Sequence, residues 1–143
     1  MICPFPVDPE SFPLGMKDGI IQDCQLTSSS EWNPNHSAIN ARLDRPHGNG
    51  KAGAWCAKTN DVNQWIQVDF GEMKLVSGIV MQGRTDYEQW VKKYKVQYSN
   101  DGISWQFVTD HNQRSDKVSF QYLVTMVTLA ASYSVYQDIS VML

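Results

Sequence analysis

Several features that mark common functional classes are missing from this 143-residue chain. Lysine and arginine together number 12 against 15 acidic residues, which gives a net charge of −3. A protein that binds nucleic acid or an anionic membrane by charge attraction carries a basic excess. The chain therefore lacks the electrostatic footprint for either partner.

Cysteine and histidine are also scarce, with three of each. Cys3, Cys24 and Cys56 form no C-x-x-C pair, and no closely spaced histidine pair accompanies them. Zinc sites use such spacings, so the sequence fits no zinc template. The oxygen-rich residues 60–63 lack the full pattern of a calcium loop and are better interpreted as a turn. We expect no metal and no cofactor.

Catalytic motifs are absent as well. The sequence contains no G-x-S-x-G, no H-E-x-x-H and no glycine loop that would cradle a phosphate. Asp69 and Asp86 are possible acid–base carboxylates, but nothing marks them as a pair that flanks a scissile glycosidic bond. We expect no enzymatic activity.

The two ends of the chain carry no clear targeting or membrane signal. The first residues have neither the basic segment nor the apolar run of a secretory signal peptide. This leaves two interpretations open, a cytosolic protein or a piece of a longer secreted one. Residues 120–136 are 17 uncharged residues, the lower edge of a membrane span, but the Ser, Thr and Gln among them disfavour insertion.

The chain does contain clear strand signals. In residues 65–70 (WIQVDF) the apolar Ile66, Val68 and Phe70 alternate with polar side chains. A strand directs successive side chains to opposite faces, so this pattern predicts one buried and one wetter face. Gly71 is predicted to end the strand.

Further strand candidates follow at short intervals. Residues 94–99 alternate in the same way, and the Asp101-Gly102 pair behind them predicts a tight hairpin. Residues 25–30 and 76–83 are two more candidates. Short strands at this spacing predict a single all-β domain over residues 1–143, an antiparallel sandwich or closed barrel.

Eight blocks, in one order, resemble a discoidin domain, the type C domain of coagulation factors five and eight. The blocks are PLGM (13–16), QLTSS (25–29), ARL (41–43), GAWC (53–56), WIQVDFG (65–71), QGR (82–84), YKVQYS (94–99) and DGISW (101–105). They lie within residues 13–110. The resemblance implies a galactose-binding-like jelly-roll β-sandwich or barrel, an extracellular recognition role and no catalysis.

The resemblance also implies that ligand is held by loops at one end of the barrel. These loops correspond to residues 30–37, 44–53 and 84–91. Their candidate ligand-binding residues are Trp32, Asn33, His47, Arg84, Asp86, Tyr87 and Glu88.

Three kinds of ligand stay open. Sugars stack on aromatic faces and hydrogen-bond to arginine, asparagine, aspartate and histidine, all of which the candidate set supplies. Trp32, Arg84 and Glu88 resemble a collagen-receptor site, although Ala52 replaces the acidic residue expected before Gly53. A phospholipid binder needs apolar loop tips above basic residues, and Trp32 alone fits. We predict an extracellular adhesion module for a carbohydrate, glycoprotein or matrix ligand. A peripheral membrane binder and a targeting module of a larger enzyme are the alternatives.

The carboxy-terminal segment departs from the family pattern. Residues 118–143 lack the arginines and the final cysteine with which such domains close. They are either substitute strands of different sequence or an aberrant terminus. We favour the aberrant terminus, which predicts a fold that is incomplete at this end.

The resemblance finally implies a disulfide if the domain is extracellular, because that compartment is oxidising. Cys3 stands upstream of the position of the family's amino-terminal bridge cysteine, whose partner is missing here. Cys56 follows Trp55 as it does in the collagen receptors. We expect a Cys24–Cys56 bridge, with Cys3 left as a thiol.

Overall fold

Regular structure in this protein is almost entirely β. The computed structural model describes residues 12–84, 86–108, 117–133 and 138–142. Within these ranges the strands are β1 Leu26–Ser28, β2 Trp55–Cys56, β3 Trp65–Gln82, β4 Lys93–Ser99, β5 Gln106–Phe107, β6 Lys117–Tyr133 and β7 Asp138–Met142. Short 3-10 helices form at Asp23–Gln25, Pro34–His36 and Ala38–Asn40. In the same ranges no helix is long and apolar enough to cross a membrane.

The strands pair antiparallel throughout the described ranges. Their order is β2-β7-β3-β6-β4-β5, and β1 pairs with β3 beside this path. β3 is the hub, since β1, β6 and β7 all hydrogen-bond to it. This arrangement confirms the prediction of an antiparallel all-β fold.

The core forms where the sequence alternation predicts it. Ile66, Val68 and Phe70 are buried, whereas the intervening Gln67 and Asp69 stay partly exposed. They belong to a cluster with Met16, Ile21, Leu26, Ala38, Ala41, Trp55, Ala57, Val76, Ile79, Val91 and Val96. Burying one valine, leucine or isoleucine side chain contributes about 1.5–3 kcal/mol, so this cluster is the main stabilising feature of the fold.

β3 continues past Gly71, and the prediction that it ends there is wrong. Its register with β6 shifts between Asp69 and Lys74, which marks a β-bulge. Gly71 has a φ of 70°, and its N–H donates to Asp69 Oδ1 at 2.8 Å. A glycine at positive φ redirects the strand without ending it. Asp69 therefore has a structural role at this bulge.

The carboxy-terminal segment takes part in the sheet, which corrects the expectation of an incomplete fold. β6 lies between β3 and β4 and pairs with both. β7 joins β2 to the end of β3. The pairing uses backbone N–H and C=O groups, so side chains that differ from the family pattern can still complete it. Residues 117–133 and 138–142 therefore agree with the other interpretation of this segment, that it forms strands whose sequence differs from the family pattern.

The predicted Cys24–Cys56 bridge is also wrong in this structure, where both residues are thiols. Cys24 is exposed ahead of β1, with its sulfur 3.9 Å from Gln22 Oε1. Cys56 is buried beyond the other end of β1, where its carbonyl accepts the Trp32 N–H at 2.8 Å. β1 thus separates the two sulfurs. Cys3 lies outside the described residues.

Candidate functional site

Three loops that are distant in sequence meet next to Cys56. The Trp32 N–H of the first loop donates to Cys56 O at 2.8 Å, and the Ala52 N–H of the second loop donates to Asn35 O at 2.9 Å. Arg84 of the third loop lies with Nη1 4.0 Å from the Cys56 sulfur. Residues 30–37, 44–53, 84 and 86–91 therefore form one surface, which we call the loop face.

A bidentate ion pair holds the third loop. Arg84 Nε donates to Asp86 Oδ1 at 2.6 Å, and Nη2 donates to Oδ2 at 3.0 Å. The two side chains are only 11% and 19% exposed. The hydrogen bond from Arg84 lowers the pKa of Asp86. Planar guanidinium–carboxylate pairs fix orientation as well as charge, so this pair stiffens the loop.

Gln89 completes the support of Arg84, and the sequence gives no signal for this role. Its backbone C=O accepts the Arg84 N–H at 3.0 Å, and its Oε1 accepts from Arg84 Nη1 at 3.1 Å. Gly83 lies so close to this segment that a Cβ there would be 3.0 Å from Gln89 O. The loop is therefore folded back onto the end of β3.

His47 of the second loop contacts this ion pair, and the charges of the pair act on His36 of the first loop. His47 Nδ1 lies 3.0 Å from Asp86 Oδ2, which links the second loop to the third. His36 Nδ1 lies 2.8 Å from Asn33 Oδ1 in the first loop. Burial lowers the pKa of His36, and the nearby charge of Arg84 acts in the same direction.

Trp32 and Asn33 have different positions in the first loop. The Trp32 side chain is 66% exposed. Asn33 caps the helix Pro34–His36, and its Oδ1 accepts the Asn35 N–H at 2.9 Å. The Asn33 oxygen is thus occupied by the loop itself, whereas Trp32 offers an open aromatic surface.

A shallow depression of about 420 Å³ lies on the third loop. It is lined by Gly83, Arg84, Asp86, Tyr87, Glu88, Gln89 and Trp90. Tyr87 is 64% and Trp90 is 50% exposed, so both offer aromatic surface to a ligand. The Arg84 guanidinium carbon lies 4.6 Å from the centre of the Tyr87 ring. Trp90 was missed as a site residue, although a second aromatic residue in the same loop, three positions after Tyr87, was a usable signal.

The structure thus brings part of the predicted set together. Arg84, Asp86, Tyr87 and Glu88 line the depression, and His47 contacts it through Asp86. Trp32 and Asn33 are on the adjoining loop and do not line it. Within the described ranges no group of three or more histidine, cysteine or acidic residues is placed to hold a metal ion.

The chain belongs to the F5/8 type C domain family, whose model matches residues 25–130. Domains of this family are ligand-binding modules without catalytic activity. The chain is similar to the human EGF-like repeat and discoidin I-like domain-containing protein 3, with 44% identity over 120 residues that cover 76% of the chain and 24% of that protein. It is 42% identical to rat lactadherin over 100 residues, which cover 66% and 23% of the two chains.

These relatives are secreted or extracellular proteins. The chain spans about a quarter of their length.

Solved structures show the same jelly-roll fold. Discoidin II of Dictyostelium discoideum superposes with a TM-score of 0.72 at 22% identity, covering 82% of this chain and 53% of that one. A Clostridium perfringens module, CpGH89CBM32-5, was solved in complex with GalNAc-β-1,3-galactose. It superposes with a TM-score of 0.67 at 19% identity and covers 82% and 91% of the two chains. The predicted fold class is confirmed.

Proposed function

We propose that the chain is an extracellular adhesion module that binds a carbohydrate, free or on a glycoprotein, at the depression of the third loop. One observation carries this proposal: two exposed aromatic side chains, Tyr87 and Trp90, line the same depression as a rigid polar group, Arg84 with Asp86. The apolar faces of a sugar ring stack on aromatic rings, and its hydroxyls need fixed polar partners.

The fixed polar group suits a hydroxyl-rich ligand. Arg84 is already bonded to Asp86 and Gln89, so its charge is balanced and its position is set before ligand arrives. Ordering of the site then costs little on binding, which favours affinity. The extracellular setting of the relatives is consistent with a glycan ligand.

The test compares aromatic variants on a glycan array and then by calorimetry with the best glycan. Trp90→Ala and Tyr87→Ala should each weaken binding about tenfold, as loss of a buried aromatic contact does at recognition sites. Trp32→Ala should have a smaller effect, because Trp32 does not line the depression. Thermal melting shows whether each variant remains folded.

Phe107→Ala is the matched control for these variants. Phe107 is 54% exposed, close to the value for Trp90, but it lies on β5 away from the loop face. If Trp90→Ala and Tyr87→Ala bind as Phe107→Ala does, the depression is not the ligand site.

A phospholipid surface is the second candidate, and the exposed Trp32 favours it. An indole that is 66% exposed on a loop could insert into the interface of a bilayer. Lys51 on the second loop is exposed and supplies one positive charge. Sedimentation with vesicles that contain phosphatidylserine tests this candidate: binding that Trp32→Ala abolishes and Trp90→Ala leaves intact would favour lipid over sugar.

A further inference from the structure

The depression on the third loop contains one carboxylate that the nearby ion pairs leave unbalanced. Arg84 and Asp86 compensate each other in a bidentate pair. Glu88 lines the same depression and is exposed, and in the described part of the chain no basic side chain forms an ion pair with it. The formal charges of Arg84, Asp86 and Glu88 in the lining therefore sum to one negative charge.

The aromatic lining of the depression also favours positive charge. Aromatic rings present a negative face, and a cation within about 6 Å of the ring centre is attracted to it. Tyr87 already has the Arg84 guanidinium at 4.6 Å. Trp90, the better ring for such contacts, lies in the same lining and is half exposed.

The depression disfavours an anionic ligand. It would approach Glu88, and the one arginine in the lining is already bound to Asp86 and Gln89. A neutral ligand gains stacking but no charge interaction. The groups in the depression therefore rank a cation above a neutral ligand and an anion last.

On the basis of the proposed function, which makes this depression the ligand site, we propose that it recognises a protonated primary amine on its ligand, held between Glu88 and the ring of Trp90. Amino sugars and lysine side chains both present this group. Both place an ammonium ion beside apolar CH groups, which suits a carboxylate next to an aromatic ring.

The experiment compares each amine with a neutral partner of nearly the same shape at pH 7. Glucosamine is paired with N-acetylglucosamine, and Nα-acetyl-lysine amide is paired with its Nε-acetylated form. Binding to the full chain is measured by NMR titration, with the indole N–H of Trp90 as a local reporter. A charged probe should bind about two- to fivefold more tightly than its neutral partner for each cation–π contact, with a further gain from Glu88.

Glu88→Gln removes the charge and keeps the shape of the side chain. The affinity ratio between charged and neutral probe should fall toward one in this variant. Glu72→Gln is the matched control, since it removes the same charge from the exposed surface of β3, next to the bulge. The wild-type ratio should persist in this control.

The outcomes separate this proposal from the proposed function. A preference for glucosamine alone identifies an amino sugar as the source, and a preference for the lysine derivative alone identifies a protein side chain. Equal affinity of charged and neutral probes, no binding of either amine, or a ratio that Glu88→Gln leaves intact overturns the ammonium proposal. Glycan binding that depends on Trp90 and Tyr87 would still stand in each of these cases.

Discussion

At the scale of single residues, Arg84 shows how a candidate ligand contact becomes a positioning residue. Its Nε and Nη2 donate hydrogen bonds to Asp86, its Nη1 donates to Gln89, and its side chain is nearly buried. Removing one partner of such a pair leaves the other charge uncompensated, so Arg84→Ala would disturb the loop as well as any ligand. This is why Tyr87 and Trp90 are the cleaner probes of binding.

His36 makes stability depend on pH. Burial lowers its pKa in the folded state below the usual ~6.5. The unfolded chain then binds the proton more readily than the folded chain. The stability contributed by neutral His36 is therefore fully present above the usual pKa of ~6.5 and is lost as the pH falls from there through the lower pKa of the folded state. We expect the melting temperature to drop between pH 7.5 and pH 5, and to drop less in His36→Gln.

Parallel pH curves for the wild type and His36→Gln would contradict this assignment.

Asp86 contributes to the pH dependence of stability in a separate, more acidic window. Because Arg84 lowers its folded pKa, the stability from Asp86 is present above the ordinary aspartate pKa of ~3.9 and is lost only below it. The two effects are therefore resolved in a single pH series.

At the scale of elements, the β4–β5 hairpin depends on one turn. Ser99 Oγ accepts the Gly102 N–H at 2.9 Å, and Asp101 Oδ1 accepts the N–H groups of Ile103 at 2.8 Å and Ser104 at 2.7 Å. Gly102 has a φ of 71°. The Asp-Gly pair thus located the hairpin, but the connection is longer than the predicted tight turn, because the last paired residues are Tyr98 and Gln106.

Gly102→Ala should destabilise the protein by about 1–2 kcal/mol, because an L-residue with a side chain is strained at this φ. The added Cβ would also lie 3.2 Å from the end of the Met126 side chain, which is flexible enough to move. Gly102→Asn should cost less, since asparagine tolerates the left-handed region. Urea unfolding of the three proteins measures the difference.

Ligand binding should be unchanged in Gly102→Ala. The turn follows the last residue of β4, whereas the third loop precedes its first residue, so the seven residues of the strand separate them by about 20 Å. A loss of glycan affinity in this variant, at a temperature where it is folded, would mean that the hairpin and the loop face are coupled.

At the scale of the whole molecule, β6 holds the fold together. It pairs with β3 from Trp65 to Val80 and with the whole of β4, from Lys93 to Ser99. No other described strand pairs with both. The described chain before residue 109 contains β3 and β4 but no strand that pairs with both.

Two truncations test the role of β6. Removal of residues 109–143 should abolish cooperative unfolding, because it leaves the edges of both β3 and β4 unpaired. Removal of residues 134–143 should be milder, since it deletes β7 and keeps β6. Thermal melts followed by circular dichroism distinguish the two truncated proteins. A cooperative melt of the protein that lacks residues 109–143 would show that β6 is dispensable.

The sequence by itself determined the family and several of the strands. Alternation located the buried Ile66, Val68 and Phe70, and Asp101-Gly102 located the hairpin, because both patterns act between residues that are near in sequence. The ordered blocks from residue 13 to residue 105 identified the fold and the loops that carry the candidate site.

The tertiary structure alone decided which residues meet across the chain. The contact of His47 with Asp86 and the pairing of β6 with both β3 and β4 join residues that are 27 to 65 positions apart. Such contacts depend on the path of the whole backbone, and no local pattern records it. Even within the third loop, the chain had to fold back onto Gly83 before Gln89 could reach Arg84.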